Sequence, residues 1–182
     1  HSNQLERKMD QFALAGKSGG AAAQLKSLGL RYSFIVRGTD GQEREVDAAT
    51  GSKSTVPVRF TVRANQDAYL QVWQAVGFST LQLLWPENGN GQISLRIAAG
   101  QRQYIPLPTD SGMVTLTARL SRVPFSPITR QKAAMSDRLS PNQLQESLTA
   151  SSPTGSQEEA TYVVNQDPST TVQIAVDITL GR

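Results

Sequence analysis

Three stretches of this chain alternate apolar and polar residues with a period of two, and that beat limits the fold more than any other feature of the sequence. Val58, Phe60 and Val62 alternate with Arg59, Thr61 and Arg63. Val114, Leu116, Ala118 and Leu120 alternate with Thr115, Thr117, Arg119 and Ser121, and near the end Val172, Ile174, Val176, Ile178 and Leu180 alternate with Gln173, Ala175, Asp177 and Thr179. Successive side chains of a strand point to opposite faces, so each stretch buries one face and wets the other, as antiparallel sheets do. Further strands are expected at 32–37, 69–76, 80–85, 92–97, 103–107 and 161–164. Short strands in such regular succession predict a mostly-β fold, an antiparallel β-sandwich. The last strand, with the strongest alternation, is expected at the centre of its sheet. The strand at 103–107 is expected at an edge, because Pro106 and Pro108 remove backbone donors there. Asp40-Gly41 and Asn88-Gly89-Asn90-Gly91 both carry the residues that tolerate positive φ at a hairpin corner.

At the other end of the chain the period is helical. Leu5, Met9 and Phe12 lie on one face of a helix over residues 3–15, which Gly19-Gly20 breaks, and 21–28 offers a second, weaker helical turn. The expected organisation is an N-terminal helical segment or stalk over 1–29 and a sandwich domain over 30–182, within the size of one domain. An insertion at 124–156 carries Pro124, Pro127, Pro141 and Pro153 and a Ser/Thr-rich run. In it, Ser140-Pro141-Asn142-Gln143 places Ser as N-cap, Pro at the first helical position and Gln three residues after the cap. One short helix to about Leu148 is expected to follow.

The composition removes several chemistries. With no cysteine, disulfides, thiolate metal sites and a Cys nucleophile are excluded. The only histidine is His1, so no His-based general base, triad or metal site is expected in the folded part, and no cofactor or metal is expected at all. Phosphate-loop, dinucleotide and nucleophile-elbow motifs are absent. No run of about 18 apolar residues spans a bilayer. The formal charge is +3, and basic residues collect at Arg119, Arg122, Arg130, Lys132 and Arg138. That cluster reads either as a patch for phosphate, anionic lipid or an acidic partner, or as a solvated loop beside a strand end. Nucleic acid is not the expected partner.

The carboxylate pairs Glu43 with Glu45, Glu158 with Glu159, and Asp40 near Glu43 fall in hydrophilic turns, where an acid stays solvated and ordinary, unlike the raised acid of a glycosidase. Aromatic residues make up only 6% of the chain, so their placement is informative. Tyr69 and Trp73 share one sheet face opposite Leu70 and Val72. In one reading they form a contact patch beside Arg59 and Arg63; in the other both faces are buried, with Trp73 under the helix or the insertion.

Several short motifs occur in a familiar order. A strand Val58-Arg59-Phe60-Thr61-Val62 leads into Ala68-Tyr69-Leu70-Gln71-Val72, then Leu83-Leu84-Trp85-Pro86, an Asn/Gly-rich loop at 87–91, and Ala99-Gly100-Gln101-Arg102-Gln103-Tyr104-Ile105-Pro106. Over residues 30–123 and the last strand the chain resembles the bacterial family called domain of unknown function 4384 (DUF4384). It departs from that pattern at the short 73–80 connection and in the long insertion. The resemblance implies an accessory module of an envelope or secreted protein, without established catalytic residues, in the periplasm or outside the cell. Any attachment to the inner membrane would run through a segment upstream of this chain. The expected function is therefore non-catalytic: an interaction or sensing module with a protein partner, its candidate binding residues being Arg59, Arg63, Tyr69 and Trp73. The alternatives are a structural subunit, self-associating through the N-terminal helix and the edge at 103–107, and an enzyme acting on carbohydrate or peptide.

Overall fold

The computed structural model describes residues 27–47, 56–76, 81–86, 93–107, 114–125, 143–151, 157–167 and 173–180. These residues are all β, with no helix among them, and form two antiparallel sheets. The expected helix over 3–15 lies outside the described residues.

Sheet A contains β1 (Leu28–Arg37), β2 (Glu43–Val46), β3 (Val56–Ala64), β7 (Gln103–Pro106), β9 (Gln143–Ser151) and β10 (Gln157–Asn165). Its order is β7-β3-β1-β10-β9, with β2 also paired to β1. Sheet B contains β4 (Ala68–Val76), β5 (Gln82–Trp85), β6 (Leu95–Ile97), β8 (Val114–Ser121) and β11 (Gln173–Leu180). Its order is β11-β8-β4-β5, with β6 on the same strand as β5.

The period-two beat decides which side of each sheet is buried. Leu28, Leu30, Tyr32, Phe34 and Val36 of β1 and Phe60, Val62 and Ala64 of β3 join Leu70 and Val72 of β4, Leu116, Ala118 and Leu120 of β8 and Ile174, Val176 and Ile178 of β11 in one hydrophobic cluster. Inside it Phe60 lies between Tyr32 and Phe34, with ring centroids 5.8 and 5.2 Å away. The inward rows of both sheets meet there, so the alternate rows lie on opposite outsides of the molecule.

The Asp40-Gly41 corner forms as the sequence requires. Gly41 N–H donates to the Gly38 carbonyl and Gly38 N–H to the Gln42 carbonyl, while Gly41 takes φ 79°, the left-handed residue that closes a three-residue hairpin loop between β1 and β2. Gly100, φ 76°, takes the third position of the β-turn over 98–101 that leads from β6 in sheet B to β7 in sheet A, where Gln101 N–H donates to the Ala98 carbonyl.

Four expectations are corrected. The short helix after Ser140 is instead β9, paired residue for residue with β10 from Gln143↔Asn165 to Ser151↔Gln157. The capping pattern is local, and nine pairs of antiparallel partners outweigh it; they also lengthen the strand expected at 161–164 to 157–165 and bring much of the supposed insertion into sheet A. The last strand lies at an edge of sheet B, not its centre. Its edge is closed by side chains: the Gln143 amide donates to the Ala175 carbonyl at 3.3 Å and accepts from Ala175 N–H at 3.4 Å, and Asn165 Nδ2 donates to the Gln173 carbonyl at 2.8 Å. Finally, β5 and β6 do not pair with each other as the arms of a hairpin: both run antiparallel to β4, at Val72–Gln74 and Ala68–Leu70 respectively, and the Asn88–Gly91 segment itself lies outside the described residues. The strand before Pro106 does lie at an edge, as expected.

Candidate interaction face

The outer side of sheet A gathers Arg31, Arg37, Arg59, Arg63, Glu43 and Glu45, with Arg102 beside β7. Across the β1–β3 register Arg31 stands opposite Arg63, Ser33 opposite Thr61 and Ile35 opposite Arg59. On the other side of β1, β2 places Glu45 opposite Ile35 and Glu43 opposite Arg37, and on the far side of β3 Tyr104 of β7 stands opposite Thr61. The outward-facing positions of four strands are thus brought together by pairing, not by proximity in sequence, and at Arg31, Ser33 and Thr61 they are buried.

Glu45 organises the middle of this face. Its Oε1 accepts from Arg31 Nη2 at 3.0 Å, from Arg102 Nη2 at 2.6 Å and from Ser33 Oγ at 2.5 Å, and Ser33 is hydrogen-bonded in turn to Thr61. Arg31 is wholly buried, with Nε donating to the Tyr162 hydroxyl at 3.2 Å. A guanidinium out of water requires a charge-assisted partner, which Glu45 supplies; this pair fixes the strand arrangement, while charge for a partner is offered elsewhere. Towards solvent, Glu43 accepts from Arg59 at 3.1 Å and Arg37 at 3.3 Å. The Arg59 hydrogen bond, more than that of Arg37, holds the Glu43 carboxyl below the usual range.

Among the described side chains five arginines (Arg31, Arg37, Arg59, Arg63 and Arg102) meet two glutamates here, so cations outnumber carboxylates. Arg37 and Arg59 remain 55% and 41% exposed while paired. Beside them Tyr104, the exposed large hydrophobic residue of the described chain at 51%, lies with its ring under the Arg102 guanidinium at 5.7 Å. Planar, weakly hydrated arginine forks next to an exposed aromatic ring suit recognition of carboxylates on a protein surface.

The four residues singled out from the sequence do not form one site. Arg59 and Arg63 are on the outer side of sheet A, as their alternation requires. Tyr69 and Trp73 are on the outer side of sheet B, across the core from them, because Leu70 and Val72 between them point into that core. Trp73 is 3% exposed and its indole N–H donates to Gln71 Oε1, so it belongs to a packed layer and not to a contact patch. Tyr69 is half-buried opposite Arg96 of β6. Of the basic cluster, Arg119 is buried and Arg122 is half-buried with Nε donating to Gln66; Arg130, Lys132 and Arg138 lie outside the described residues.

Sequence reasoning missed Arg31, Glu45, Arg102 and Tyr104 as a group. The four-residue strand Glu43–Val46 has no alternation to announce it, and the Arg31–Glu45–Arg102 network exists only once three strands have paired. Among the described residues no group of three or more His, Cys, Asp or Glu side chains could hold a metal ion, and no helix is long and apolar enough to cross a membrane. Comparison with protein-family models, with curated proteins and with solved structures found no match.

Proposed function

We propose that the two sheets form a β-sandwich that serves as a non-catalytic interaction module, binding an acidic segment of a protein partner on the outer side of sheet A. The observation that carries this reading is the cationic face built by Arg37, Arg59, Arg63 and Arg102 around exposed Tyr104. Its two carboxylates argue against acid–base work: a general acid needs a raised pKa, and Glu43 is pushed the other way by Arg59 and Arg37 while Glu45 is engaged by two guanidinium groups and a hydroxyl. The placement in a bacterial envelope or outside the cell rests on the resemblance to domain of unknown function 4384 alone.

Fluorescence anisotropy with a labelled glutamate-rich peptide tests the reading. The wild-type chain binds it at low salt and binds a lysine-rich peptide of equal length far more weakly. The double variant Arg59→Ala, Arg63→Ala loses about tenfold in affinity, and binding weakens as salt screens the exposed charges. Equal affinity for the two peptides, or an unaffected double variant, contradicts it.

A further inference from the structure

A second guanidinium is withdrawn from water on the other side of the molecule, and it is treated differently. Arg119 sits on β8, between Gln71 of β4 and Ala175 of β11, and is 7% exposed. Its Nη2 donates to Gln173 Oε1 at 2.5 Å, and its Cζ lies 4.9 Å from the centre of the Phe125 ring. Nε and Nη1 are buried with no hydrogen-bond partner. Among the described residues no carboxylate lies within ion-pair distance of it. Arg31, the more deeply buried of the two, has Glu45; Arg119 has one neutral amide oxygen and the face of a ring.

We infer that Arg119 is the receptor for a small oxyanion, a carboxylate or a phosphate, held at the edge of its guanidinium beneath Phe125. A buried charge is tolerated when paired, and an amide oxygen with a cation–π contact offsets only part of its desolvation. Arginine has five N–H donors in a planar fork; Gln173 takes one of the two Nη2 hydrogens and with it one edge of the fork, so the other edge is left to grip two oxygens of a planar or tetrahedral anion. Burial pushes the Arg119 guanidinium below its ordinary value, as it does for a desolvated charge without a counter-charge.

The surroundings limit the ligand. Gln71 donates one amide N–H to the Ile93 carbonyl and accepts from Trp73 Nε1, so its side chain is anchored away from a role as counter-charge to Arg119. Gln71, Trp73 and Thr117 are all buried and pack this layer, which excludes a large ligand. The ring that faces the guanidinium belongs to Phe125, whose backbone N–H donates to Ser94 Oγ at 2.7 Å and whose carbonyl accepts from the same hydroxyl at 3.1 Å. One hydroxyl therefore holds the backbone that carries this ring.

Thermal unfolding at fixed ionic strength, with sodium chloride replaced stepwise by sodium acetate or sodium phosphate, tests this. The wild-type chain shows a saturable rise in Tm, about 3–6 °C at ten times the dissociation constant, and Arg119→Met shows none. Saturation with acetate alone assigns a carboxylate, with phosphate alone a phosphate, and with both a general oxyanion site. A wild-type Tm that does not saturate, or the same rise in Arg119→Met, overturns the inference. If the Met variant does not fold, the Arg119 Nε–H resonance of the wild-type chain decides: it moves saturably with the anion, and a resonance that stays fixed contradicts the site.

Discussion

Tyr32 shows how much one side chain can be asked to do in this core. It is 1% exposed, packs against Phe60, and its hydroxyl accepts from Gln145 Nε2 at 2.9 Å. Burial, opposed by a hydrogen bond with Thr161 and aided by the charge of Asp47, pushes its pKa from 10.0 up to about 12. Below about pH 10 both folded and unfolded chains keep this proton and it adds no pH dependence. Between about pH 10 and 12 the unfolded chain releases a proton that the folded chain retains, so stability falls as pH rises, by about 2–3 kcal/mol across that window. Denaturant melts of the wild type and Tyr32→Phe at pH 9 to 12 check this: the Phe variant loses less stability over the alkaline window, and parallel curves contradict the assignment. Glu43 runs the opposite way. Its lowered pKa contributes stability above the ordinary carboxylate range that is lost as pH falls through it.

At the scale of elements, the strands written as alternation in the sequence are the strands of the structure: 58–63 became β3, 114–121 β8 and 172–180 β11. Burial of one face is a local property and leaves a local trace. What the alternation could not specify was the neighbour. β11 was misplaced to the centre because its edge is closed by the amides of Gln143 and Asn165, residues some distance away whose role depends on register. β9 was missed because Gln143–Ser151 is an edge strand held by β10, and a helix cap at Ser140 was the louder local signal. Gln143→Ala removes both side-chain bonds to Ala175, and the Ala175 amide then exchanges with solvent at least several-fold faster, at a stability cost of about 1 kcal/mol. An unchanged rate at Ala175 would show that the edge is closed by something else. Trp73 separates the two readings of its face with one substitution: Trp73→Ala costs about 3–5 kcal/mol of unfolding free energy, as truncation of a buried aromatic does. A variant that keeps wild-type stability would return Trp73 to the surface.

At the scale of the whole molecule, charge is divided between the two outer sides in two forms. On sheet A it is shared, half-exposed and laid out by four strands, which suits a partner that brings its own carboxylates. On sheet B, among the described residues, the exposed Arg96 is paired with Asp67, and one further guanidinium, Arg119, lies buried beside a ring, which suits a small anion. The candidate face was half legible in the sequence: Arg59 and Arg63 announced themselves as the wet positions of β3, whereas Glu45 of β2, Arg31 of β1 and Arg102, just before β7, meet only in the folded sheet. Tyr69 and Trp73 were assigned to the same patch because faces can be read strand by strand but the packing of two sheets cannot. The account is tested most directly by two-dimensional amide NMR of the chain titrated with the glutamate-rich peptide. Saturable shifts are predicted along β1, β2, β3 and β7, centred on Arg59, Arg63 and Tyr104, with sheet B unmoved; shifts centred on β4 and β8, or none at low salt, would contradict it.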